Sequence, residues 1–165
     1  MARRKAPGGT PATDALTAAG VAFEPVEYAH HDDATDFGAE VTRETGLDAA
    51  VVFKTLVVST GPRQLAVGVV PVAGRLDLKA LAAALGVKKV EMAEPKVAER
   101  SSGYVVGGLS PLGQRTPLPT VIDSSAEGLD RLYVSGGKRG LQVGLAPADL
   151  AAVTGATFAP IARAG

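Results

Sequence analysis

Apolar positions along this chain change period repeatedly, and each change marks an element. Thr10 followed by Pro11 reads as a helix cap with proline at the first helical position, and Ala15, Leu16 and Ala19 recur at helical spacing until Gly20. Val21 to Tyr28 alternates imperfectly, as a strand does, until the polar run His30-His31-Asp32-Asp33 breaks it. A second helix is predicted from about Asp36 to Thr45, ending at Gly46. The near-continuous apolar run from Ala50 to Ser59 predicts a buried strand, with Gln64 to Val72 as its hairpin partner across Thr60-Gly61-Pro62-Arg63. Leu76 to Leu85 predicts a helix closed by Gly86, Lys88 to Met92 a short strand, and Pro95 to Arg100 a helix or turn. Gly103 to Leu109, Pro119 to Asp123, Leu132 to Ser135 and Gly140 to Leu145 are short apolar stretches between Gly and Pro, spaced as in a curved antiparallel sheet or barrel. Pro147 to Val153 is expected to close the domain as a helix. Interleaved helices and strands without a linker predict one α+β (mixed α/β) domain over residues 11–162, built around a barrel-like sheet. Residues 1–10, with Arg3, Arg4, Lys5 and then Pro7, Gly8 and Gly9, read as a flexible basic tail.

Composition narrows the chemistry. The chain of 165 residues is 46% hydrophobic but only 4% aromatic and has no Trp, so its core must be aliphatic. Its 17 basic and 17 acidic residues cancel, so no global field draws it to nucleic acid or anionic lipid, and any RNA contact must use a local patch. The absence of cysteine excludes disulfides, thiolate metal sites and a cysteine nucleophile. The apolar runs are shorter than a membrane span and the basic start lacks the apolar centre of a signal peptide, so a cytoplasmic protein without membrane or DNA partners is expected.

Three features stand out as candidate chemistry. Lys54 lies inside an apolar strand, where an ammonium group costs several kcal/mol unless it finds a partner or a cavity. Alternation puts Phe53 and Thr55 on the opposite face, so Lys54 either points to solvent or serves to anchor an anion or polarise a carbonyl. The run Gly107-Gly108-Leu109-Ser110-Pro111-Leu112-Gly113 either permits a tight turn or offers backbone N–H groups to a ligand. Ser135-Gly136-Gly137-Lys138-Arg139-Gly140 places two cations in a turn, either as a solvated hairpin tip or as a seat for RNA phosphate. His30 and His31 are the only histidines; with Asp32 and Asp33 they read as a polar loop, and no metal site is expected. No sequence pattern supplies an obvious side-chain nucleophile.

The motifs Val52-Phe53-Lys54-Thr55-Leu56, Val70-Pro71-Val72-Ala73-Gly74-Arg75-Leu76-Asp77 and Gly103-Tyr104-Val105-Val106-Gly107-Gly108-Leu109-Ser110-Pro111 occur in order. They are followed by Leu118-Pro119-Thr120-Val121-Ile122-Asp123, Val134-Ser135-Gly136-Gly137-Lys138-Arg139-Gly140 and Leu145-Ala146-Pro147-Ala148-Asp149-Leu150. From Thr10 to Ile161 the chain resembles the YbaK/EbsC family, the Cys-tRNA(Pro) deacylases, freestanding relatives of the editing domain of prolyl-tRNA synthetase. The resemblance implies a largely antiparallel, barrel-like sheet surrounded by helices, and hydrolysis of mischarged Cys-tRNA(Pro) without metal or cofactor. By similarity, Lys54 lies beside the aminoacyl ester with Thr55 next to it, and Gly107 and Gly108 present amides to the ester carbonyl. Tyr28 and Phe37 line the pocket, Ser110 and Asp149 help hold the substrate, and Lys138 and Arg139 are expected at the RNA. The implied mechanism is substrate-assisted, with the cysteine thiol attacking its own ester. The implied partners are aminoacyl-tRNA(Pro) and prolyl-tRNA synthetase. Ser101-Ser102 stands where many members have Ala-Thr, and Arg115-Thr116-Pro117 replaces a more basic stretch. Two other readings compete: a deacylase for alanine or another small amino acid, and a non-catalytic module that binds tRNA or a synthetase.

Overall fold

The computed structural model describes residues 9–165. The predicted basic tail therefore lies outside the described residues except for Gly9 and Thr10, and Thr10 is buried rather than part of a tail. Its hydroxyl accepts the Thr13 N–H at 3.2 Å while Thr13 Oγ1 accepts the Thr10 N–H at 3.0 Å, a reciprocal cap on helix α1 (Pro11–Ala18). The same hydroxyl donates to the Gly136 carbonyl, tying the start of α1 to a distant turn.

Strand β1 (Glu24–Glu27) and helix α2 (Phe37–Thr45) follow, with Asp36 capping α2 and Gly46 ending it in the left-handed region. The predicted hairpin forms from β2 (Phe53–Gly61) and β3 (Gln64–Pro71), placing Lys54 opposite Val70. Leu76, expected inside the next helix, ends a short strand β4 (Gly74–Leu76) instead. Asp77 then caps α3 (Leu78–Leu85) through the Ala80 N–H, which is why the helix starts only after it. β5 (Glu91–Met92) and α4 (Pro95–Ser102) come next.

The predicted strand at Gly103 to Leu109 is absent; that segment is a series of turns. Gly103 at φ 82° ends α4, Gly107 sits at φ 91°, and Glu99 Oε2 takes the Val106 N–H at 2.8 Å, leaving no strand ladder for the segment to join. β6 (Thr120–Asp123), a 3-10 turn at Ser124–Gly128, β7 (Leu132–Ser135), β8 (Leu141–Leu145) and α5 (Pro147–Thr154) complete the predicted series. Beyond the helix expected to close the domain, β9 (Thr157–Ala159) and β10 (Ala162–Ala164) add two further strands.

The fold is α+β as expected, with most strand pairs antiparallel. The sheets run β5-β2-β3-β6-β9, β1-β8-β7 and β10-β4, and they do not close on themselves. β6 is parallel to both β3 and β9. β2 is buried on both sides. Phe53 and Val57 join Ile122, Leu132, Val143, Leu16 and Leu150 in the larger core, while Val58 packs with Ala66, Val70, Leu81 and Ile161 in a second core beneath α3. The larger core lies between the five-stranded and three-stranded sheets, which meet where the Tyr133 N–H donates to the Val51 carbonyl at 2.8 Å.

Asp123 fixes the C-terminal strands. Its Oδ1 accepts the Ile161 and Ala162 N–H groups, each at 2.9 Å, and Oδ2 accepts the Ser125 N–H at 3.2 Å. Burial pushes this carboxyl up, but these donors together outweigh it and hold the group below its ordinary value of 3.8. Asp123→Ala should lower the unfolding free energy by about 1–3 kcal/mol, read from denaturant midpoints. A depressed folded-state value means the stabilisation is complete above the ordinary carboxyl range and is lost as pH falls through the folded value. The deficit of the variant should therefore shrink between about pH 5 and about pH 2. A deficit that stays constant over that range would assign the effect to packing alone.

Candidate active site

A cavity of about 570 Å³ opens where β2, the start of α2 and the turns after α4 converge. Residues 52–57 of the β2 segment form one wall, Thr35 to Gly38 with Val41 and Val72 another, and Met92, Ala93, Pro95, Ala98, Val106, Gly107 and Leu109 the rest, with Ser135 and Gln142. The lining is mainly apolar with a few polar groups, the usual character of a small-molecule site. Among the described residues, the buried side-chain polar atoms without a hydrogen-bond partner are Thr55 Oγ1 and Gln142 Oε1, and both residues line this cavity. A buried orphan of this kind costs about 1–3 kcal/mol, so the pair marks where a ligand's polar groups would be received.

Of the residues singled out from the sequence, the structure brings Lys54, Thr55, Phe37 and Gly107 to this cavity. Lys54 is half-buried and forms no salt bridge with a described residue. Gly107 is one of the turn residues at the rim. A methyl group on it would lie 2.8 Å from both Arg139 Nε and Phe37 Cε1, so only glycine lets the chain pass there. The Gly107 N–H has no backbone partner among the described residues.

Gly108 behaves differently from the expectation. Its N–H donates to the Val105 carbonyl at 2.9 Å and is consumed in the turn; the absent side chain instead admits the backbone of Lys138 and Arg139, 2.7 to 2.9 Å from where a Cβ would stand. Ser110 is fully buried and its Oγ accepts the Leu112 N–H at 3.2 Å, so it shapes the turn and does not reach the cavity. Asp149 sits in the first turn of α5, which is anchored to the main core by Leu150, and it is not part of the wall. Tyr28 is also outside the wall. Its N–H donates to the Gly140 carbonyl at 2.9 Å, and burial raises its phenol.

Gln142 is a polar wall residue that sequence reasoning missed, and Ser135 was noted only as part of a glycine-rich turn. The signal was present: Gln142 is the one polar side chain in the apolar run Leu141 to Leu145. Lys138 and Arg139 are exposed on the turn before β8. Arg139 donates from Nε to the Val106 carbonyl at 2.9 Å, and its guanidinium carbon lies 4.9 Å from the Phe37 ring centroid.

The histidine pair has a structural partner that the sequence did not reveal. Glu40 of α2, only 1% exposed, accepts from the His31 N–H at 2.9 Å and lies 2.7 Å from His30 Nδ1. Burial pushes its carboxyl up, but the contacts with His30 and the His31 N–H together outweigh it and hold the group below the ordinary carboxylate range. This pins the polar loop to α2 beside Phe37.

The cavity thus brings together a half-buried lysine, a glycine amide without a backbone partner and two unpartnered side-chain oxygens, an arrangement able to receive a polar ester or amide. Comparison with known proteins agrees. The chain belongs to the aminoacyl-tRNA editing-domain family, whose profile matches residues 31–153. It is 38% identical to a protein of Enterococcus faecalis provisionally named a Cys-tRNA(Pro)/Cys-tRNA(Cys) deacylase, EbsC, with 98% of each chain covered. A crystal structure provisionally described as a trans-editing enzyme for prolyl-tRNA synthetase is 25% identical, with a TM-score of 0.82 over 97% of this chain and 99% of that one. The hypothetical protein APE2540, 23% identical over 93% of this chain and 99% of its own, has the same fold at a TM-score of 0.82. No helix among the described residues is long and apolar enough to cross a membrane.

Gly107→Ala should displace the rim. Forcing a side chain into positive φ between Phe37 and Arg139 costs roughly 1–3 kcal/mol, and unfolding should report a loss of that order together with a shifted Phe37 ring resonance. A variant as stable as the parent, with Phe37 unmoved, would contradict the close approach.

Proposed function

We propose that this protein hydrolyses the ester of mischarged Cys-tRNA(Pro), acting in trans in the cytoplasm beside prolyl-tRNA synthetase. The observation that carries the reading is the wall itself: it has a cation and a free backbone amide but, among the described residues, no histidine and no hydroxyl bonded to a base. Asp36 Oδ1 caps the Ala39 N–H at 3.0 Å, and Ser135 Oγ accepts the Gly137 N–H at 3.2 Å. A site of this kind accelerates reaction by holding the ester in attack geometry and stabilising the oxyanion, with the attacking group supplied by the substrate.

In the proposed sequence the substrate thiol adds to its own ester carbonyl, forming a C–S bond. The carbonyl oxygen takes the charge opposite the Gly107 N–H. The C–O bond to the ribose then breaks, the proton lost from sulfur ends on the ribose hydroxyl, and the amino acid leaves as a thiolactone, which water then opens to free cysteine, completing the net hydrolysis. Lys54 acts as a fixed cation that positions the tRNA end, and Thr55 and Gln142 receive the polar groups of the aminoacyl moiety. Alanine and proline esters lack the thiol and are spared.

A deacylation panel with Cys-, Ala- and Pro-tRNA(Pro) tests this reading. Cys should be released and the other two retained, Lys54→Ala should slow release by about 10²-fold, and alkylating the substrate thiol should stop it. Rapid loss of Ala with Cys untouched would shift the assignment to a small-amino-acid deacylase. Release undiminished by alkylation would require an activated water, and tRNA binding without any turnover would leave a non-catalytic module.

A further inference from the structure

The cavity rim is assembled from three segments far apart in sequence: the first residue of α2, the turn at residues 105–108, and the turn between β7 and β8. One side chain touches all of them. Arg139 belongs to the third segment, its Nε holds the Val106 carbonyl of the second, and its guanidinium lies over Phe37 of the first. Gly107 and Gly108 leave room for this arrangement and for no other residue type, since a Cβ on either would fall within 2.9 Å of Arg139, Phe37 or the Lys138 backbone.

We propose that Arg139 is a positioning residue for deacylation: by clamping the Val106 carbonyl against Phe37, it fixes the direction of the adjacent Gly107 N–H into the cavity. This rests on the hydrolytic reading above. The peptide unit that contains the Val106 carbonyl also contains the Gly107 nitrogen, so the hydrogen bond to Arg139 sets the orientation of that N–H directly. Because a trans peptide holds C=O and N–H in opposite directions, an Arg139 donor on the outer side leaves the N–H facing the other way. The turn that carries Arg139 is itself rigid: the Gly136 N–H donates to the Leu141 carbonyl at 2.9 Å, and Thr10 Oγ1 donates to the Gly136 carbonyl. Arginine alone supplies both the planar face for Phe37 and an in-plane donor for the carbonyl; lysine keeps the charge and loses the plane.

The proposal separates from a plain RNA contact by substrate size and by the lysine variant. Single-turnover deacylation is measured with Cys-tRNA(Pro) and with the cysteinyl ester of adenosine, which carries no phosphate. Arg139→Ala and Arg139→Lys should both lower the saturating rate about 10²-fold on both substrates. Lys138→Ala should raise only the half-saturating tRNA concentration. Hydrogen exchange gives a readout independent of activity: the Gly108 amide, bonded to Val105, should exchange at least about tenfold faster in Arg139→Lys at unchanged denaturant midpoint. Full rescue by lysine, an effect confined to tRNA and abolished by salt, or unchanged Gly108 exchange would each overturn the clamp. If wild type hydrolyses neither substrate, the functional reading fails, while the exchange measurement still decides whether Arg139 holds the rim.

Discussion

Burial of β2 on both faces is the constraint from which the site follows. Phe53 and Val57 are committed to the core between the sheets, and Val58 to the core under α3. A strand enclosed in this way has no low-cost position for an ammonium group except where one of the covers ends. Lys54 lies near the start of β2, opposite the buried Val70, and there the strand borders the cavity. The lysine and the cavity explain each other: the opening lets the charge keep contact with water or ligand, and the charge gives the otherwise apolar opening its polarity.

The rim extends the same logic to the backbone. A cavity bordered by turns must leave some peptide groups outside any ladder, and buried unpaired groups are costly. Val105 and Gly108 pair with each other, Val106 uses Glu99 for its N–H and Arg139 for its carbonyl, and the Gly107 N–H is left over. The Gly107 N–H, a backbone donor at the rim, is thus what remains after its neighbours in the turn are satisfied. Two adjacent glycines serve two purposes here, one keeping a donor free at positive φ and the other allowing two backbones to meet.

Local signals in the sequence located most elements because caps and hairpin turns are short-range chemistry. Thr10-Pro11, Asp36 with Gly46, and the turn after Thr60 mark ends that the structure keeps to within a few residues. What failed depended on distant partners. The apolar run from Gly103 to Leu109 looks like a strand until Glu99 and Arg139 claim its peptide groups, and β9 and β10 exist because Asp123 and β4 offer them partners. Of the residues that line the cavity, Lys54, Thr55, Phe37 and Gly107 were singled out from the sequence. Ser110 is engaged in its own turn and Asp149 lies on α5 outside the cavity wall, while Gln142 was hidden by its own apolar strand.

Two buried carboxylates show how a chain with so few aromatic side chains keeps such a site in place. Glu40 accepts one backbone N–H from the loop before α2, and Asp123 accepts two at the entry to β10. Ionised groups in such positions survive only when their lone pairs are filled, and then each organises several residues at once. Both are held below the ordinary carboxylate range despite burial, so both remain charged through the neutral range. The nine-residue α2, on which Phe37 occupies the first position, is held by apolar contact through the buried Val41 and by the polar tie of Glu40 to His30 and the His31 N–H. The helix that presents Phe37 to Arg139 is therefore fixed from two sides, and the polar side adds the direction that apolar packing does not supply.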